Sequence, residues 1–199
     1  VLTACNVQGE DTFPKLLLRN YNRWGHKRVA MRKKELGIWK SYTWADCYSN
    51  VKSMCLGLIS LGLCPEDRVS ILGDNNPEWF WAELAVQSGR GIPIGLTVDS
   101  TPSEVEHLVS HSESRFIIVQ DQEQVDKLLQ IKDKLPKLCK IVYWEQKGLK
   151  HYEDSMLVSL EQLMSLGVEY ETEHPRAFEE LVALGKAEDV FMMQYTSGT

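Results

Sequence analysis

At 199 residues, 43% of them hydrophobic and 25% charged, the chain is long enough to bury a sizeable core and has the make-up of a globular protein. Its net charge of −6 argues against nucleic acid, which calls for a basic excess, although a few local dipoles suffice to hold a single nucleotide. No apolar run approaches the ~18 residues that span a bilayer, and Val1-Leu2-Thr3-Ala4-Cys5 lacks the Met and basic n-region of a signal peptide.

Residues 1–11 show no periodicity and are expected to form a flexible N-terminal segment. Thr12 then caps a helix with Pro14 in its first turn. Leu17, Tyr21 and Trp24 share one face, and Gly25 ends it. Two extended runs, 29–33 and 38–42, flank a turn at Gly37 and predict a β-hairpin. Thr43-Trp44-Ala45-Asp46 reads as a capping box with Asp in place of Glu. It opens a helix with Cys47, Val51, Met54, Cys55 and Leu58 at helical spacing, closed by Gly62.

From residue 69 the pattern alternates. Residues 69–72 predict a strand, and Pro77, with Asn76 as cap, begins a helix that runs to Gly89. A strand at 92–96 leads to Thr101-Pro102-Ser103-Glu104, a full capping box whose helix buries Val105, Leu108 and Val109. A strand at 116–119, a helix carrying Val125, Leu128, Leu129 and Leu135, and a strand at 141–144 follow. Residues 145–157 are polar and predict a surface excursion. Helices near 160–166 and 177–184 are then separated by the acidic stretch 169–173. Short connections between alternating strands and helices predict an α/β fold with a mostly parallel, doubly wound sheet.

Most of the polar motifs have ordinary explanations. No G-x-x-x-x-G-K-[ST] occurs, and Gly89, Gly91 and Gly95 run from helix into strand, the reverse of a dinucleotide fingerprint. His107 and His111 stand four apart, but the Glu of a zinc-protease helix is missing and both belong on the solvated side. No metal site is expected. Asp74-Asn75-Asn76-Pro77-Glu78 reads as a polar turn capping a helix. The five cysteines (Cys5, Cys47, Cys55, Cys64 and Cys139) form no C-x-x-C. Cys47 and Cys55, on an apolar helical stripe, read as small buried hydrophobes, and a structural role in a reducing, cytoplasmic setting is expected.

The last stretch is different. Five apolar residues among the six at 190–195 predict a buried parallel strand, and Thr196-Ser197-Gly198-Thr199 follows at once. At the carboxyl end of a strand, hydroxyls and backbone N–H groups beside a glycine suit phosphate oxygens. A chain that stops at the mouth of such a loop reads as part of a longer protein.

Several further segments stand in a telling order. They are Gly37-Ile38-Trp39-Lys40-Ser41-Tyr42-Thr43-Trp44, Gly57-Leu58-Ile59-Ser60-Leu61-Gly62, and Asp67 through Trp79 with its Leu72-Gly73-Asp74-Asn75-Asn76-Pro77-Glu78 core. Gly91-Ile92-Pro93-Ile94-Gly95-Leu96, Glu104-Val105-Glu106-His107-Leu108, residues 121–128 and Tyr195-Thr196-Ser197-Gly198-Thr199 complete the set. From residue 12 onward the chain resembles the N-terminal part of the adenylate-forming (AMP-binding) superfamily, and within it bacterial long-chain fatty-acid–CoA ligases. It departs from relatives at Thr97-Val98, where Tyr-Pro or a similar pair is common.

The resemblance implies that residues 12–199 are an incomplete N-terminal portion of the AMP-binding large domain, cut within the phosphate loop. Tyr195, Thr196, Ser197, Gly198 and Thr199 would be the first half of an ATP-phosphate cradle that continues as Thr-Gly-x-Pro-Lys-Gly. ATP, Mg²⁺ and coenzyme A are the implied cofactors and fatty acid the implied substrate. The magnesium-binding Glu, the ribose-binding Asp, the adenylation lysine and most of the acyl tunnel would lie beyond residue 199, in the missing C-terminal region, so no catalytic residue is assigned here. The resemblance leaves room for peripheral association with the inner face of a membrane. Aryl-CoA ligases, amino-acid adenylation domains, luciferase-like oxidases and a non-catalytic α/β module stay open as alternatives.

Overall fold

A computed structural model describes residues 9–196. Local capping chemistry sets most of its helix starts. The Thr12 hydroxyl accepts from the Lys15 N–H at 3.4 Å and opens α1 (Phe13–Trp24). A hairpin follows, β1 (Val29–Glu35) antiparallel to β2 (Ile38–Thr43). Thr43 and Asp46 then cap each other: the Asp46 N–H donates to the Thr43 hydroxyl at 3.2 Å, and the Thr43 N–H to the Asp46 carboxylate at 2.7 Å. That box launches α2 (Trp44–Ser60). The same device, Thr101 with Glu104 and Ser159 with Gln162, opens α4 (Pro102–Ser112) and α6 (Leu160–Glu173), as Asp121 caps α5 (Gln122–Ile131). Pro77 starts α3 (Pro77–Ser88), although the Asn76 side chain makes no capping bond there. The last helix is α7 (Ala177–Leu184).

Strands β3 (Arg68–Leu72), β4 (Ile92–Leu96), β5 (Phe116–Val119), β6 (Lys140–Tyr143), β7 (Leu157–Ser159) and β8 (Met193–Gln194) form one parallel sheet in the order β7-β6-β5-β3-β4-β8. Side chains alternate between its faces. Val69, Ile71, Phe116, Ile118 and Val142 join the core built with α2, α3, α6 and α7. Leu72, Ile94, Ile117, Val119 and Ile141 face α4 and α5. Covered on both sides, the sheet is doubly wound, as the alternating pattern predicted.

The structure departs from the sequence expectations at four places. The acidic stretch does not separate two helices, because α6 runs through it to Glu173. Its Gly167 lies against α2, where an added Cβ would stand 1.9 Å from the Ser53 carbonyl oxygen, and Glu171 reaches out to pair with Lys52 at 2.6 Å. The supposed excursion ends in a strand, β7, that pairs with β6. Helix α5 stops at Ile131 and a 3₁₀ turn, Lys132–Lys134, carries the chain to Leu135. The last strand is two residues long and exposed, where a buried strand over 190–195 was expected: it is the outer strand on β4, so nothing among the described residues covers its far side. Of the expected N-terminal segment, residues 1–8 lie outside the described residues; Glu10 and Asp11 pair with Arg19 and Lys15 of α1.

Candidate functional site

Parallel strands put all their carboxyl ends on one edge of the sheet. The chain leaves β3 for α3 on one face and leaves β4 and β5 for α4 and α5 on the other. Connections therefore diverge around the end of β3, which is where an open α/β sheet leaves room for a ligand. Polar contacts tie this edge together. The Gln120 side chain accepts from the Asp74 N–H at 2.8 Å and donates to Glu145 at 3.0 Å. The Trp144 ring occupies the space over Gly73, where a Cβ would come within 2.2 Å of the indole. At Thr97-Val98, the Val98 carbonyl accepts from Lys127 Nζ at 2.8 Å.

The segment that leads to β8 is anchored before it reaches this edge. Arg90, in left-handed backbone with φ 59°, grips Asp189 with two bonds of 3.0 and 3.1 Å. The Arg90 guanidinium beside it holds the Asp189 carboxyl below its ordinary range. Gln87 donates to the Phe191 carbonyl at 3.1 Å. Met193 and Gln194 then register with Ile94 and Gly95 of β4.

Tyr195 follows, its ring packed beside the α4–α5 core. Its hydroxyl lies 2.8 Å from His111 Nδ1 and 3.5 Å from the Leu108 carbonyl, and the two rings meet edge to face at 5.8 Å. Burial raises this phenol above its ordinary range. A neutral Tyr195 therefore hands its side chain to α4. Thr196 is exposed. Ser197, Gly198 and Thr199 lie outside the described residues.

His111 is the contact that sequence reasoning missed. In the sequence it reads as a solvated residue, whereas its polar partner is 84 residues away. The two histidines are exposed, as expected, with rings 5.9 Å apart. Among the described residues no group of three or more His, Cys, Asp or Glu could hold a metal ion. Cys47 and Cys55 are buried, and burial pushes the Cys55 thiol up to about 12; Cys64 and Cys139 are exposed. A cavity of about 440 Å³, lined by Phe13, Ile92, Leu181 and Phe191 among others, sits at the amino end of β4 and includes neither Tyr195 nor Thr196.

The arrangement brings Thr196 to the carboxyl edge next to a half-buried tyrosine held on α4. The sequence matches the family described as AMP-binding enzyme over residues 17–199. It is 29% identical over 170 residues to long-chain-fatty-acid–CoA ligase ACSBG1 of Bos taurus, covering 85% of this chain and 23% of that protein. It is 27% identical over 188 residues to long-chain-fatty-acid–CoA ligase ACSBG2 of Xenopus laevis, covering 94% and 25%. The chain thus spans about a quarter of the length of the curated relatives it matches. Among solved structures, a long-chain-fatty-acid-CoA ligase (FadD1) from Archaeoglobus fulgidus aligns with a TM-score of 0.72 at 16% identity, over 94% of this chain and 34% of its own. The anthranilate CoA ligase AuaEII, solved with anthranoyl-AMP, aligns at 0.66 and 19%, over 76% and 27%. At such identities the structural matches show a shared fold.

Proposed function

Because the chain belongs to the AMP-binding enzyme family, we propose that it is the amino-terminal part, residues 12–199, of the adenylating domain of an ATP-dependent long-chain fatty acid–CoA ligase. In the intact protein the fatty-acid carboxylate would attack the α-phosphorus of ATP, expelling pyrophosphate and leaving an acyl-adenylate. The coenzyme A thiol would then attack the acyl carbon, forming the thioester as AMP departs. Both steps gather negative charge on phosphate oxygens, so positioned donors lower the barrier more than a local base would.

The observation that carries this reading is the delivery of Tyr195 and Thr196 to the carboxyl edge of a doubly wound sheet. Thr196, Ser197 and Thr199 would offer hydroxyls to the ATP phosphates, and the backbone at Gly198 could approach closely. Mg²⁺, when bound, would neutralise charge on the phosphates. Its carboxylate ligand would come from the remainder of the protein. The same remainder would supply the ribose contact, the adenylation lysine and the acyl tunnel, leaving residues 12–199 inactive by themselves.

No helix is long and apolar enough to cross a membrane among the described residues. Long-chain fatty acid partitions into bilayers, so the intact protein would work in the cytoplasm and at a membrane's inner face. The test is carboxylate-dependent ATP–pyrophosphate exchange by the full-length protein. Stimulation by long-chain fatty acids above aryl and amino acids is expected. Exchange driven by aromatic or amino acids alone would reassign the substrate, and no exchange with any carboxylate would overturn the reading.

A further inference from the structure

The hairpin β1–β2 takes no part in the candidate site, and its surface differs from the rest. The three most exposed large apolar side chains among the described residues sit together at its far end: Leu36 is 100% exposed, Ile38 74% and Trp39 63%. Leu36 and Gly37 turn the chain with φ of 47° and 83°, which matches the twist of a tight hairpin. The other end is rooted, since Ala30, Met31 and Tyr42 pack on the main core.

Charge is concentrated on the same element. Residues 27–40 hold six basic residues and one acid, Glu35, in a chain whose net charge is −6. Of the six, only Lys33 makes an ion pair among the described residues, with Glu78 at 3.8 Å. Lys34 reaches over the Trp39 ring at 5.9 Å, so cationic and apolar groups share one surface. Lysines on an edge strand are an ordinary guard against strand pairing. That accounts for the charges and leaves the exposed Leu, Ile and Trp unexplained.

The combination selects its partner. The core of a protein–protein interface is poor in lysine. A second copy of the hairpin would bring two basic clusters together, and Lys33 already stands opposite Lys40. A surface with an apolar interior behind a layer of phosphates satisfies both halves at once. Leu, Ile and Trp enter the headgroup boundary while Lys and Arg meet the anionic lipids.

We infer that the β1–β2 tip docks the protein onto an anionic bilayer. This inference takes from the proposed function only the reason for being near a membrane. Its test uses no ATP, fatty acid or coenzyme A, so failure of one does not entail failure of the other. The full-length protein is sedimented with vesicles of phosphatidylcholine containing a minority of phosphatidylglycerol, and with phosphatidylcholine alone. Binding to the anionic vesicles is expected, weakening with salt and falling about fivefold per charge in Lys34→Glu or Lys40→Glu.

Leu36→Glu and Trp39→Glu change side chains that are already in water, and should abolish binding with an unaltered melting temperature. With the unsubstituted protein, brominated lipid should quench tryptophan emission, and Trp39→Phe should remove that quenching. Equal binding to neutral vesicles, binding untouched by the tip variants, or a stable dimer that buries Trp39 would each overturn the inference.

Discussion

Tyr195 and His111 are brought together across the chain by the parallel pairing of β8 with β4, and their 2.8 Å contact ties Tyr195 to α4. If the loop binds phosphate, losing this bond should loosen the cradle rather than the fold. In the full-length protein, Tyr195→Phe and His111→Phe are each expected to raise KM for ATP by roughly three- to tenfold, the worth of one hydrogen bond. The double variant should be no worse than either single one, with KM for fatty acid unchanged. Additive losses would deny the coupling. This contact was illegible in the sequence, since nothing local to His111 distinguishes a solvated histidine from one that meets a tyrosine of another element. The cysteines were easier to read. Cys47 and Cys55 lie on the apolar stripe of α2 and are buried, and the raised Cys55 thiol adds to its protection. A thiol reagent should modify Cys64 and Cys139 in the folded protein and reach Cys47 and Cys55 only after unfolding; rapid reaction of Cys55 would show that α2 opens.

Among the elements, those with a capping signal were read to within a residue or two: α1, α2 and α4 all begin where Thr12, Thr43 and Thr101 mark their starts. Helix α6 was read too short because the acids at 169–173 look like a separator, whereas it runs through Gly167 to Glu173. The glycine is there for packing. At Gly57 of α2 an added Cβ would lie 2.1 Å from the Leu163 carbonyl oxygen, and at Gly167 of α6 it would lie 1.9 Å from that of Ser53, so each helix presses its backbone on the other. Backbone cannot swing aside as a side-chain tip can. Gly167→Ala should therefore cost roughly 2–3 kcal/mol despite its better helix propensity, read as a fall of about 5–10 °C in melting temperature. A stabilised variant would mean that the helices do not touch there. Asp46 makes a pH-dependent contribution to α2. Hydrogen bonds from the Thr43 backbone and hydroxyl hold its carboxyl below the usual range, so its stabilisation is present at neutral pH and lost as pH falls through that depressed value. Below about pH 4 the melting temperatures of the native protein and Asp46→Asn should converge; a constant gap would contradict the cap.

At the scale of the whole molecule, alternation of strand and helix was enough to predict a doubly wound parallel sheet, and the order of segments was enough to place the chain in its family. Strand order was not written there, because which strand neighbours which depends on packing between distant elements. The brevity of β8 was hidden for the same reason. Apolar residues at 190–195 look like a buried strand, but a strand at the sheet's edge has one neighbour, and Val190, Phe191 and Met193 stay exposed. Isolated residues 1–199 are accordingly expected to associate through this edge; a monodisperse monomer with a sharp cooperative melt would speak against it. The same 199 residues, given fatty acid, ATP and coenzyme A, should form no thioester.

The most direct test of the whole account is a structure of the full-length protein with a non-hydrolysable ATP analogue. The β- and γ-phosphoryl groups should rest on the turn at Thr196–Thr199, beside the Tyr195–His111 contact. Phosphates bound at any other edge of the sheet would contradict it.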